Sequence, residues 1–241
     1  MIDIRKANDR GHADHGWLNS WHTFSFSNYF DPKQLGFSDL LVINDDTVAP
    51  GRGFGAHPHD NMEIFSYVLD GKLSHQDSMG NGSTIKPGDI QLMSAGTGVV
   101  HSEMNGSKDA PVHFLQIWIM PNIQQPKPNY QQIYIDDEEK RGKLRTIISP
   151  DGIHGSLQIR QDTTIYAGLF NGDESTIFKA DPHRYYYLHV AKGRIDLNGQ
   201  SLNAGDGVKI RQESQLHLTN GQQAEVLLFD LRPNELPERI Q

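Results

Sequence analysis

The chain has no cysteine among its 241 residues. Disulfides, thiolate metal sites and cysteine nucleophiles are therefore excluded. No apolar run approaches the roughly 20 residues that a membrane-crossing helix needs. The opening Met1-Ile2-Asp3-Ile4-Arg5-Lys6 lacks the apolar core of a signal peptide, so a cytoplasmic protein that does not engage a membrane is expected. Positive charge is also scarce: 22 Lys and Arg face 30 Asp and Glu, giving a net charge of -8. With no Lys/Arg block, direct binding to nucleic acid is disfavoured. What is abundant is glycine (23) and proline (12), a density of turn formers that favours many short strands over long helices.

Taken in order, residues 1–40 turn from charged to aromatic, and Trp21–Tyr29 alternates loosely, as a half-buried strand does. His12, His15 and His22 lie nearby without a carboxylate at strand spacing, and read as surface or packing histidines. Leu40–Ile43 predicts a short strand closed by a turn at Asn44-Asp45-Asp46. Glu63–Leu69 predicts a strand ended by a hairpin turn at Asp70-Gly71. Pro87-Gly88-Asp89 predicts a tight turn, and Val112–Met120 a long strand on which His113 packs or faces solvent. Residues 131–145 read as a linker with one helical turn in the acidic run Asp136–Glu139. The second half repeats the rhythm: Asn198-Gly199 marks a hairpin, and Ala204-Gly205-Asp206 echoes Pro87-Gly88-Asp89. An all-β chain follows, with one barrel over residues 1–130 and another over 146–241.

Two stretches carry the chemistry. Gly51–Glu63 holds His57 and His59; Gly96–Asn105 holds His101 and Glu103. Residues i and i+2 of a strand share a face. If the two strands face each other across a small barrel, three imidazoles and one carboxylate converge. Mixed nitrogen and oxygen donors suit a divalent cation, with Fe(II) leading; Zn, Co, Ni, Mn or Cu also fit such donors. The glycines at 51, 53 and 55 allow close backbone approach at a barrel rim. A phosphate loop is rejected, because no helix pattern or Lys-Ser/Thr follows. Phe54, Met93 and Met104 are candidates for the wall of the site or for core packing. The second half has no His-x-His, and no metal is expected there.

The run Gly51-x5-His57-x-His59-x3-Glu63 resembles the first cupin motif, and Gly98-x2-His101-x3-Asn105 the second. The interval from Glu63 to Gly71 is one residue longer than usual. More narrowly, the chain resembles the pirin family, through His15-Gly16-Trp17-Leu18, Phe24-Ser25-Phe26, Gly53–His59, His75–Asn81, Met93–Gly98 and His101-Ser102-Glu103. That resemblance implies a bicupin, two β-barrels face to face, with one metal in the N-terminal barrel held by His57, His59, His101 and Glu103. It also implies that Glu63, a ligand position in many cupins, is not one here, although its spacing alone allows it.

The resemblance further implies a quercetin 2,3-dioxygenase, which opens a flavonol ring with O2 and releases carbon monoxide. Glu103, the only carboxylate among the candidate ligands, is then the candidate catalytic base for the flavonol 3-hydroxyl proton. The alternative is a metal-containing regulatory or redox-sensing protein that acts through a protein partner. A cupin isomerase, which needs no dioxygen, is a third reading.

Overall fold

The computed structural model describes residues 1–235; residues 236–241, within the expected second barrel, lie outside the described residues. The chain divides into two compact units. The first comprises Gly11–Tyr134 with Ile159–Gln161. Among the described residues, the second comprises Met1–Arg10, Ile135–Gln158 and residues 162–235. The opening residues join the second unit because β1 (Ile2–Arg5) pairs with Gly207–Arg211.

The first unit contains β2 (Gly11–Asp14), β3 (Leu18–His22), β4 (Leu40–Val48), β5 (Gly53–His59), β6 (Glu63–Asp70), β7 (Leu73–Asp77), β8 (Gly82–Ile85), β9 (Asp89–Ser94), β10 (Val99–Asn105), β11 (Val112–Ile119) and β12 (Asn129–Tyr134). They form a seven-stranded sheet, β12-β9-β6-β11-β4-β3-β2, and a four-stranded sheet, β5-β10-β7-β8. Leu18, Val48, Val68, Val112 and Phe114 from the large sheet meet Leu73 and Ile85 from the small one in a single buried cluster. Burying both inner faces in this way closes the cupin barrel.

The second unit adds α1 (Asp137–Lys140), β13 (Arg145–Ser149), β14 (Leu157–Gln158), β15 (Thr163–Phe170), β16 (Thr176–Lys179), β17 (Tyr185–Leu197), β18 (Gln200–Asn203), β19 (Gly207–Arg211) and β20 (Gln215–Leu231). Its sheet packs a core that includes Val190, Ile195, Val208, Val226 and Leu228, again a cupin barrel. The expected helical turn is α1, where Asp136 caps the Glu138 amide at 2.9 Å. Residues 131–134 of the expected linker are strand, paired with β9.

The turns follow their chemistry. Asn198 (φ 48°) and Gly199 (φ 80°) join β17 to β18 in the left-handed conformations that a two-residue hairpin needs. The two Gly-Asp turns are copies: Asp89 Oδ2 accepts the Lys86 amide at 3.0 Å, and Asp206 Oδ2 accepts the Asn203 amide at 3.0 Å.

Three local expectations are corrected. Trp21–Tyr29 is not a strand: β3 ends at His22, and an isolated bridge from Phe26 to Tyr29 follows. Asp70-Gly71 does not make a hairpin; it passes the chain from the large sheet to the small one. Asn44-Asp45-Asp46 is not a turn, because β4 runs unbroken through it. Asn44 and Asp46 are polar because they point into the barrel, where both are buried, and Asp45 on the other face binds His113 at 2.6 Å.

Asn105, the last residue of the second motif, clamps the rim. Its Nδ2 donates to the carbonyls of Val48 (3.0 Å), Ala49 (3.2 Å) and Ala110 (2.9 Å), and its Oδ1 accepts the Ser107 amide at 2.8 Å. Replacing it leaves these backbone groups without partners at a buried site. Asn105→Ala is expected to lower stability by about 3 kcal/mol, read as an earlier urea midpoint; a loss below about 0.5 kcal/mol contradicts this role.

Candidate metal centre

β10 lies between β5 and β7 in the small sheet, and its pairings assemble the site. His101 sits opposite His57 on one side and Asp77 on the other; Glu103 sits opposite Phe54 and His75. The two ligand-bearing strands are thus neighbours in one sheet, not opposed across the barrel. Adjacent pairing brings paired side chains within about 4.5–5.5 Å at Cβ, closer than facing strands approach.

The β5–β10 register shifts between His101 and Glu103, so β5 spends one residue more than β10. This bulge aims both Phe54 and His57 into the barrel although they are three apart, an odd spacing that a regular strand forbids. Gly53 makes the close pairing feasible: a Cβ there would lie 2.3 Å from the Glu103 carbonyl oxygen.

One donor atom from each of His57, His59 and His101 falls within 4.8 Å of the others. Their rings are 4.4–4.9 Å apart at the centroids. His57 Nδ1 lies 2.7 Å from the Gly55 carbonyl, which accepts its proton and leaves Nε2 with a lone pair. Burial, then the neighbouring imidazole of His57, pulls His59 down to about 4. Burial, then His57, His59 and His75, pulls His101 down to about 3. Neutral imidazoles are the form that binds a cation. Both ring nitrogens of His101 are buried with no hydrogen-bond partner, an expensive state that a bound cation relieves.

Glu103 is fully buried, and burial pushes its carboxyl up. Ser66 donates to its Oε1 at 3.0 Å and Gln116 to its Oε2 at 2.5 Å, while Ser66 also reaches the Gln116 carbonyl at 3.0 Å. Its donor atom groups with His101 and with a residue that spacing did not single out, His75. His75 is held from behind by Asp77 at 3.1 Å, whose carboxylate also accepts from Asn81 and Met79. The two groups overlap at His101 and Glu103 does not join His57 and His59 within the same 4.8 Å limit. Glu63 belongs to neither group: it takes hydrogen bonds from Ser94 Oγ (2.8 Å) and the Arg160 amide (3.4 Å).

The cluster opens on a cavity of about 490 Å3, lined on one side by His57, His59 and Glu103 and elsewhere by Phe26, Tyr29, Phe54 and Trp118. Of the three candidate wall residues only Phe54 lines it. Met93 is core, packed with Ile64, Ala95 and Val99, and Met104 is exposed. His12, His15 and His22 all line the cavity, with His12 stacked on Trp21 at 4.2 Å. Asn44 and Asp46 complete the wall, and burial pushes Asp46 up to about 7 against the hydrogen bond from Ser20.

Two cupin barrels, one enclosing a histidine cluster beside an aromatic cavity, define a bicupin with a metal-type centre. The chain belongs to the pirin family: residues 3–119 match the family model described as Pirin, and residues 146–231 that of the quercetinase C-terminal cupin domain. It is 47% identical over 233 residues to the quercetin 2,3-dioxygenase of Escherichia coli K12, an alignment covering 97% of this chain and all of that protein. The crystal structure of YhhW from Escherichia coli superposes with a TM-score of 0.93 at 46% identity, covering 98% of this chain and 100% of that one. The bacterial pirin YhhW in complex with nickel(II) superposes with a TM-score of 0.92 at 45% identity, over 97% and 100%.

Burial pushes Glu63 from 4.5 to about 7. Between those values the unfolded chain has lost this proton and the folded chain keeps it, so the contribution of Glu63 to stability falls as pH rises from about 4.5 to 7. Glu63→Gln is expected to gain on the wild type across that window by on the order of 3 kcal/mol, measured by urea unfolding at a series of pH values. Parallel profiles would show that Glu63 is ionised throughout.

Proposed function

We propose that this protein is a metal-dependent dioxygenase of the quercetin 2,3-dioxygenase type, with His57, His59, His101 and Glu103 as the ligands of one divalent cation. The observation that carries the proposal is the trio of mutually close imidazoles, two of which, His57 and His59, line an aromatic-walled cavity. The identity to the Escherichia coli quercetin 2,3-dioxygenase supports it. Fe(II) is the proposed ion, on the strength of mixed imidazole and carboxylate donors; the structure of the related pirin YhhW in complex with nickel(II) supports a divalent metal. When bound, the cation supplies Lewis-acid activation of a substrate oxygen and a meeting place for dioxygen.

The chain's own residues supply the rest. A cavity of about 490 Å3 lies within the roughly 300–1,000 Å3 span of small-molecule sites. Phe26, Phe54 and Trp118 offer ring faces and edges to a flat aromatic substrate such as quercetin. Glu103 takes the proton of the flavonol 3-hydroxyl onto a carboxylate oxygen. In the metal-free chain burial pushes its carboxyl up. Ser66 and Gln116 hold its oxygens in place. The apolar wall keeps bulk water from the activated ring.

Glu103→Gln keeps the shape of the side chain and one of its two acceptor oxygens, but not its basicity. In a protein loaded with one Fe(II), this variant is expected to lower quercetin-dependent oxygen uptake at least about 100-fold. Unchanged uptake with the cation still bound removes Glu103 from the proton transfer.

A further inference from the structure

On the wall of the same cavity, β4 presents two buried oxygens with no partner. Asn44 and Asp46 are each 3% exposed and both line the cavity. Asn44 Oδ1 and Asp46 Oδ1 are buried and accept no hydrogen bond. The Ser20 hydroxyl serves the Asp46 carboxyl but leaves Oδ1 unserved. The two residues are i and i+2 on one strand, so they share a face and their Cα atoms stand roughly 6–7 Å apart. Neighbouring strands fix them: Asn44 pairs with His22 and Gln116, and Asp46 with Ser20 and Phe114. Most buried acceptors in a folded protein are paired. These two adjacent acceptors both face the cavity, where the hydroxyls of a bound ligand can reach them.

We infer that Asn44 and Asp46 form a hydroxyl-reading subsite, in which non-adjacent ring hydroxyls of the flavonol, other than the reacting one, donate to these two oxygens. The inference rests on the dioxygenase reading for the position of the reacting ring, and adds the residues that discriminate among its substrates. An aromatic without those hydroxyls leaves both acceptors buried and unserved. A site built to bond a hydroxyl discriminates strongly against an analogue that lacks it. Aromatic faces at Phe26, Phe54 and Trp118 hold the ring plane, and the two β4 oxygens read its edge.

The test uses the Fe(II)-loaded full chain under anaerobic conditions and follows tryptophan fluorescence. The probes are 3-hydroxyflavone, which has no hydroxyl beyond the reacting one, and galangin, which adds hydroxyls at ring positions 5 and 7. The wild type is expected to bind galangin at least about tenfold more tightly, two hydrogen bonds' worth. In Asn44→Leu and Asp46→Leu that ratio is expected to fall towards one, with 3-hydroxyflavone binding retained. Equal binding of both probes by the wild type overturns the inference, and needs no variant to fold. A ratio unchanged in both variants also overturns it. Oxygen uptake is then measured with both probes. Selective binding without uptake removes the dioxygenase reading and leaves the subsite standing, whereas uptake without selectivity does the reverse.

Discussion

The site depends on the pairing of β10 with strands on both its edges. One ladder sets His101 against His57, and the other sets Glu103 against His75. Because paired residues of an antiparallel ladder put their side chains on the same face, two hydrogen-bonded edges gather donors from three strands without any loop to position them. The bulge in β5 is what lets Phe54 join His57 inside. A regular ladder would turn one of them out to solvent. Gly53, with no room for a Cβ against the Glu103 carbonyl, is the backbone requirement that keeps the two strands at pairing distance.

Burial then sets the charge states. Three imidazoles this close cannot all be protonated, and burial pulls His59 and His101 far below the ordinary histidine range. Their lone pairs are thus available across the physiological pH range. The same burial raises Glu103, Glu63 and Asp46, but their neighbours separate their uses. Glu103 is gripped by Ser66 and Gln116 beside the imidazoles. Glu63 is tied to Ser94 and Arg160 away from them. Asp46 keeps an oxygen free on the cavity wall. These three buried carboxyl groups of one barrel thereby sit in three different surroundings.

Much of this was legible in the chain itself. Period-two spacing put His57 with His59 and His101 with Glu103 on common faces, and the turn chemistry at Asn198-Gly199 and Asp206 was readable residue by residue. What could not be read depends on register between distant strands. His75 meets Glu103 only because β7 pairs with β10, and Gln116 reaches it from a strand in the other sheet. Asn44-Asp45-Asp46 misled because polar residues on a cavity-facing strand have the composition of a turn. His12, His15 and His22 carried the missing signal: three histidines in eleven residues of an aromatic-rich segment are more than packing requires, and all three line the cavity.

The central claim is that one cation is held by His57, His59, His101 and Glu103, with His75 outside the ligand set. The most direct measurement is an anomalous-difference map at the iron edge from crystals grown with Fe(II). The account predicts a single peak in the first barrel within bonding distance of those four side chains. A peak bound by His75, His101 and Glu103 with His57 and His59 turned away, or no peak in that barrel, contradicts it.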